Sequence, residues 1–269
     1  MIIDSPYVVK PGKKFKIKSR STDDQGKFKD REDALPATQK HLEKLDHLQE
    51  VLYAGNQHAL LIVFQAMDGG GKDGAIEHIF SGINPQGCQV TSFKKPNELE
   101  LAHDFLWRIH GAAPRKGMIG IFNRSHYESV LVERVHKLVP KKQWQARYEH
   151  INSMEKMLTD EGTTILKFFL HISKDEQRQR LQDRLDNQEK HWKFDPNDLE
   201  ERKLWDEYQE AYEDAIGKCS TEWAPWYVVP ADRKWFRNWV ISDTIVRTMQ
   251  KLDLQFPAAI EGIRKYKIE

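Results

Sequence analysis

The sequence predicts an α/β fold, a three-layer α/β/α sandwich around a parallel five-stranded sheet. Three observations predict it. Short apolar runs alternate with helical patterns five times along the chain. The first run, Leu60 to Phe64, is unbroken, which suits a strand buried on both faces. It leads into Gly69, Gly70 and Gly71, then Lys72 and a helical pattern, the strand–turn–lysine–helix order of a phosphate-binding P-loop.

Composition narrows the class. The chain has 269 residues and a formal net charge of +1, with 31% charged residues. Near-zero net charge argues against a generally basic, nucleic-acid-coating surface. No apolar run approaches the ~20 residues of a membrane span. The opening Met1-Ile-Ile-Asp-Ser-Pro6 lacks the pattern of a signal peptide. Cys88 and Cys219 form neither a disulfide framework nor a zinc spacing. These features predict a cytoplasmic protein with no membrane or nucleic-acid partner.

Residues 1–35 are polar and lysine-rich and predict an extended N-terminal arm with little core of its own. Its basic run, Lys10 to Arg20, reads as a solvated tail, an extra anion contact or a subunit arm. The main domain is expected over 36–257, with a loosely held tail over 258–269. Leu42, Leu45, Leu48 and Leu52 predict an amphipathic helix over 37–54. The helix behind Lys72 should end near Ser81, with Gly82 as a left-handed terminator. A second strand over 89–93 leads to Lys94 and Lys95, and Asn97 with Glu100 predicts a capped helix through Ile109. A third strand, 118–122, delivers Asn123 to Glu128 at its C-terminal end, where parallel sheets hold ligands. A long helix over 142–160 and a strand over 164–172 follow. Ser173 with Glu176, and Asp195-Pro196, start two further helices. Trp226 to Val229 is the fifth strand, and Asp232 should cap a final helix to about Leu252. The insertion over about 175–215 is long enough to project as a lid.

The chemistry gathers at the strand ends. Backbone groups of Gly69, Gly70, Gly71, Asp73 and Gly74 form the predicted phosphate cradle, and Lys72 adds a point charge. The P-loop pattern has Gly at position 66 and Ser or Thr at 73, where this chain has Ala66 and Asp73; the hydroxyl that would hold magnesium is missing. A carboxylate in the turn repels phosphate unless a cation intervenes, so Asp68 is a candidate magnesium ligand, with a turn-stabilising role as the alternative. Asp73 suits either substrate or the helix dipole. The planar fork of Arg124 suits a transferring phosphoryl group or a structural carboxylate. Asn123 fits a phosphate, a metal-bound water or a strand-end turn. Ser125 and Glu128 have capping-box spacing. In the lid, Arg178, Arg180, Arg184, Lys190 and Lys193 read as phosphate-closing cations or as a solvated, ion-paired helix. Lys94 and Lys95 extend the same positive path. Trp223, Trp226, Trp235 and Trp239 read as core, and His103, His110 and His126 show no metal-ligand spacing.

The segments Phe64-Gln-Ala-Met-Asp-Gly-Gly-Gly-Lys-Asp-Gly74, Asn84-Pro-Gln-Gly87, Phe93-Lys-Lys-Pro96, His103-Asp-Phe-Leu-Trp-Arg108, Gly120-Ile-Phe-Asn-Arg-Ser-His-Tyr-Glu128, His191-Trp-Lys-Phe194, Trp205-Asp-Glu-Tyr208 and Ala224-Pro-Trp-Tyr-Val-Val-Pro-Ala-Asp-Arg-Lys-Trp-Phe236 together resemble the family-2 polyphosphate kinases over roughly residues 35–257. The resemblance implies a thymidylate-kinase-like sandwich with a helical lid. It also implies reversible phosphoryl transfer between inorganic polyphosphate and a nucleotide, with Mg²⁺ (or Mn²⁺) as cofactor. Asp68 would serve metal and nucleotide phosphate, Lys72 and Arg124 the transferring group, and Arg178, Arg184 and Lys193 the phosphates under the lid. Asn123 with Glu128 resembles the subfamily accepting both AMP and ADP. Adenine is the expected base, with guanine as an alternative, and a homodimer or homotetramer the expected assembly. Gly69 and Gly70 stand where alanine is common, which implies a more flexible turn. Two competing readings are an ATP-dependent nucleotide kinase of the same architecture and an inactive polyphosphate- or nucleotide-binding protein.

Overall fold

Ala59–Ala66 (β1) is buried along its whole length, which is why its sequence carries no polar alternation. It lies between Ile119–Asn123 (β3) and Thr163–His171 (β4), with Cys88–Ser92 (β2) and Trp226–Pro230 (β5) at the edges. All four pairings are parallel, in the order β2-β3-β1-β4-β5, as the alternation of patterns predicts. The computed structural model describes residues 3–268; residues 1, 2 and 269, the outermost parts of the predicted arm and tail, lie outside the described residues.

Ten helices run through the described residues: Arg31–Gly55 (α1), Lys72–Phe80 (α2), Glu98–Leu101 (α3), Trp107–Ala112 (α4), Val132–Val135 (α5), Lys141–Asp160 (α6), Lys174–Asp186 (α7), Asn197–Lys203 (α8), Trp205–Cys219 (α9) and Lys234–Gln250 (α10). Parallel strands need crossovers, and these helices supply them while covering both sheet faces. The α1 and α10 helices pack together with α2 on one side, and α5, α6 and α9 pack on the other. Register aligns Phe64 with Asn123, the last residue of β3, and Ala66 with Leu170, so β3 stops two residues before β1 while β4 runs one residue past it, and all three open on one edge.

Several expectations need correction. Residues 3–28 are not a solvated arm, because Ile3, Val8, Val9, Phe15, Ile17 and Phe28 are buried in the core. The Val9 amide donates to the Trp226 carbonyl and the Val228 amide to the Tyr7 carbonyl, both at 2.9 Å, closing the β5 edge. Helix α1 begins at Arg31, where the Asp30 carboxylate accepts from the Asp33 amide. The stretch after Asn97 is two short helices. Its capping box forms, but α3 ends at Leu101 and α4 starts only at Trp107. Helix α2 stops at Phe80, and Gly82 does not take the left-handed conformation. Asp232 does not cap α10; its carboxylate instead accepts from the Ser173 amide at 2.8 Å, tying β5 to the start of α7. Helix α9 buries Ala211, Tyr212, Ala215 and Ile216 in the core, so the exposed part of the insertion is α7, a 3-10 turn at Gln188–Lys193 and α8. Residues 258–268 carry only a 3-10 turn, Ile263–Lys265, and are largely exposed. No helix among the described residues is long and apolar enough to cross a membrane.

Candidate active site

The glycine turn joins β1 to α2 in one defined shape. Gly69 and Gly71 sit at φ +73° and +87°, a region that side chains rarely adopt. Gly70 is buried, and a Cβ there would collide with the Ala66 methyl and come within 2.8 Å of the Met67 carbonyl oxygen. The methyl at position 66 is therefore accommodated by the missing one at position 70. The turn is packed rather than flexible, which corrects the expectation drawn from its extra glycines.

Lys72 opens α2, at the end where a helix presents its free amides. Burial and the Arg124 guanidinium lower its pKa, against the pull of Asp68, Glu128 and Asp73. It forms no salt bridge among the described residues. A desolvated cation in that state is stabilised by an incoming phosphate.

The residue after β3, Arg124, adopts φ +63°, unusual for a residue with a side chain. Its amide donates to the Phe64 carbonyl at 3.1 Å, which fastens the end of β3 to β1. From there its guanidinium reaches Asp68 at 3.1 Å and Glu128 at 3.7 Å. Burial opposes its charge, but Glu128 and Asp68 outweigh burial and raise its pKa. Burial raises the pKa of Glu128, with Arg124 and Lys72 opposing. Ser125 caps a 3-10 turn over His126–Ser129 by accepting from the Tyr127 amide, while Glu128 turns to Arg124 instead of completing a capping box. Asn123 donates from its amide to the Asp73 carboxylate at 2.5 Å. The acid in the first turn of α2 is thus held by the strand-end residue.

Helix α7 is fastened over the turn. The Gln177 amide donates to the Asp68 carbonyl at 2.8 Å, and Arg180 donates to the carbonyls of Gly69 at 3.0 Å and Ala231 at 2.6 Å. Arg184, one turn on, pairs with Asp198 of α8 at 2.6 Å. Arg178 is exposed on another face of α7 and does not reach the cleft, because two residues along a helix is a rotation of about 200°. Lys94 and Lys95 are exposed beyond β2 and line neither cavity at the turn.

Two cavities meet at the turn. The larger, about 740 Å³, runs from the glycines and Lys72 under the lid and carries eight lysines and arginines, including Lys193 and Arg184, against six aspartates and glutamates. The smaller, about 300 Å³, lies on the far side and is lined by Ala66, Met67, Leu131, Val132, Tyr208 and Tyr212 together with carboxylates. Asp68 and Arg124 line both. Beside Arg180 and Lys190 of the predicted lid, the larger cavity also holds two cations not chosen from the sequence, Lys234 and Arg237. Arg237 is buried, donates to the Gly71 carbonyl and the Asn238 side chain, and has no carboxylate partner among the described residues. Burial and Arg180 bring its pKa down to about 9. A signal existed in the sequence: Lys234 and Arg237 occupy the first turn of α10, where the helix dipole disfavours cations. Cations placed there are stabilised by an anion between them.

Asp68 is the acidic side chain of the turn that lines both cavities, as Asp195 and Asp198 of the lid also do, and no cluster of three metal-ligating side chains occurs among the described residues. One hard-oxygen donor facing a phosphate cavity fits magnesium, which binds through one or two carboxylates and completes its shell with substrate phosphates and water.

Comparison with known proteins agrees with this geometry. The family model described as Polyphosphate kinase 2 matches residues 26–257. A Meiothermus ruber protein named AMP/ADP-polyphosphate phosphotransferase is 56% identical, over 98% of this chain and 99% of its own. A Rhodopseudomonas palustris ADP-polyphosphate phosphotransferase is 46% identical over 94% of each chain. The crystal structure of polyphosphate kinase 2 from Arthrobacter aurescens TC1 superposes with a TM-score of 0.93 at 41% identity, covering 96% of this chain and 93% of that one. Because both the family model and these full-length likenesses take in the turn, the β3 end and the lid, the chain belongs to the polyphosphate kinase 2 family.

Proposed function

We propose that this chain transfers the terminal phosphoryl group of inorganic polyphosphate to AMP and to ADP, reversibly, giving ADP and ATP. The observation that carries the reading is the pair of cavities meeting at Asp68 and Arg124. One is larger and carries more cations than carboxylates, the other smaller, with tyrosines and aliphatic side chains. The donor chain would lie in the first, where Lys72, Arg180, Lys193, Lys234 and Arg237 neutralise successive phosphates. The acceptor would occupy the second, its phosphate entering between Asp68 and Arg124. The M. ruber relative, whose name carries both acceptors, supports AMP and ADP for this chain as well.

The residues act by positioning and by charge. Lys72 and the α2 amides hold the transferring group, and Arg124 spans donor and acceptor oxygens while Glu128 holds its guanidinium. The lid, fastened through Gln177 and Arg180, keeps water from the reacting phosphorus. Asp68 would hold Mg²⁺, or Mn²⁺ with the same oxygen donors; when bound, the ion neutralises charge on the phosphates. We also propose a homodimer or homotetramer, supported by Val90, Leu99, Leu101 and Trp107, which leave apolar surface exposed on β2 and the two helices after it. The free Cys88 and Cys219 thiols support a reducing, cytoplasmic setting.

The test is transfer from long-chain polyphosphate to AMP and to ADP, with magnesium and without ATP, resolved by nucleotide chromatography, with GMP and GDP run in parallel. AMP should yield ADP and then ATP. Product from one acceptor alone overturns the dual-acceptor reading, and no product from either overturns the proposal.

A further inference from the structure

Beneath the site lies an ionic cluster that touches neither cavity. Lys167, in the middle of β4, is fully buried. Its ammonium donates to the Glu155 carboxylate at 2.5 Å, the Cys219 carbonyl at 2.7 Å and the Tyr127 hydroxyl at 2.8 Å, so all three N–H groups are used. The Tyr127 hydroxyl donates to the other Glu155 oxygen at 2.9 Å, and His126 Nε2 lies 3.1 Å from that same oxygen. Glu155 and the His126 ring are fully buried. The Tyr127 ring is clamped edge-on against Trp226, with centroids 4.8 Å apart.

Burying an ion pair is costly, and an apolar pair of equal volume often stabilises a core as well or better. Stability is therefore a weak reason for Lys167 and Glu155 to stand here. The cluster's placement supplies another. It joins α6, β4 and the end of α9 to one short segment, the residues directly after Arg124. That segment is fastened at its start by the Arg124 amide on the Phe64 carbonyl and by the Gln65 amide on the Ser125 hydroxyl. The cluster fastens its other end. At the first anchor Arg124 is held at a backbone angle that it does not adopt by preference, and directly after the second Glu128 follows within the same 3-10 turn.

We propose that the Lys167–Glu155 pair, acting through Tyr127 and His126, positions Arg124 and Glu128 against the phosphate turn, and that it is kept for this geometry rather than for stability. The inference rests on the function proposed above, in which Arg124 bridges the reacting phosphates. Tyr127, Lys167 and Glu155 are positioning residues; none lines a cavity at the turn.

The test is a double-mutant cycle of Tyr127→Phe with Arg124→Lys, joined to a crystal structure of Tyr127→Phe. The aromatic ring stays, and only the hydroxyl shared by Lys167 and Glu155 is lost. In the otherwise native enzyme we expect kcat to fall about tenfold, with KM for polyphosphate and for nucleotide little changed. In the Arg124→Lys background, which has already lost the fork, the same change should have little further effect on kcat. The structure should show Arg124 leaving its left-handed conformation or drawing away from Asp68. A purely structural role predicts a lower melting temperature with kcat unchanged, or equal losses in both backgrounds. Either result overturns the proposal, as does a variant structure with Arg124 in its original place. The crystallographic arm needs no turnover. If the parent enzyme transfers no phosphoryl group, the functional reading fails while the positioning claim is still decided.

Discussion

Arg124 Nη2 and Asp68 Oδ1 lie 3.1 Å apart, which joins the end of β3 to the turn after β1 and places a cation and an anion on the boundary of both cavities. The pair orients two groups of opposite charge before either substrate is bound, and such preorganisation lowers the reorganisation needed during reaction. The pair is partly exposed, so its value lies in orientation more than in stability.

Lys72→Ala removes the cation at the start of α2 without opening a salt bridge. We expect kcat to fall by about a thousandfold or more, with the melting temperature nearly unchanged. Near-native turnover would remove Lys72 from the mechanism.

Arg124→Ala and Arg124→Gly should be equally inactive, because both lose the fork. They should differ in stability. At φ +63° glycine is unstrained and alanine is not, so the glycine variant should be more stable by about 1 kcal/mol in urea unfolding. Equal unfolding midpoints would show that the backbone at 124 relaxes once the side chain is gone.

Gly70→Ala should cost about 1–3 kcal/mol, since the new methyl meets the Ala66 methyl and the Met67 carbonyl. Ala66→Gly in the same chain should recover much of the loss. Additive destabilisation in the double variant would separate the two positions.

Arg237→Met should raise KM for polyphosphate by about tenfold, the equivalent of one charge-assisted contact. It should leave thermal stability equal or higher, because an unpaired buried cation is removed. Arg178→Ala, on the outward face of α7, should leave both substrate KM values unchanged. The reverse pattern would relocate the donor path.

His171, at the end of β4, is buried, and burial lowers its pKa from 6.5 to about 4, with Asp232 opposing. Between those values the unfolded chain binds the proton and the folded chain does not, so stability rises with pH across the window. It should be fully present above pH 6.5 and lost progressively down to about pH 4, by up to about 3 kcal/mol from this group. His171→Gln should flatten the difference in a pH series of denaturant melts; an unchanged slope would assign it to other groups.

The phosphate turn was legible because its chemistry is local. Glycines needed for positive φ, a lysine and a helix start all fall within Asp68 to Gly74, and the unbroken apolar run of β1 identifies the buried strand before them. The lid arginines were legible as a group but not one by one. Helix phase selects Arg180 and Arg184 over Arg178 only once the face of α7 that meets the turn is known. Arg237 was missed because it lies 166 residues from the Gly71 carbonyl it contacts.

By itself the sequence determined the alternation of strands and helices, the phosphate-binding chemistry at Gly69 to Lys72 and the family resemblance, because each rests on neighbours in the chain. Tertiary structure alone decided the rest. It packed the lysine-rich N-terminal segment against β5, tied Asp73 to Asn123, and buried Lys167 beside Glu155 under the Arg124 segment. Those outcomes depend on which distant groups share a desolvated volume, and no local pattern of residues carries that information.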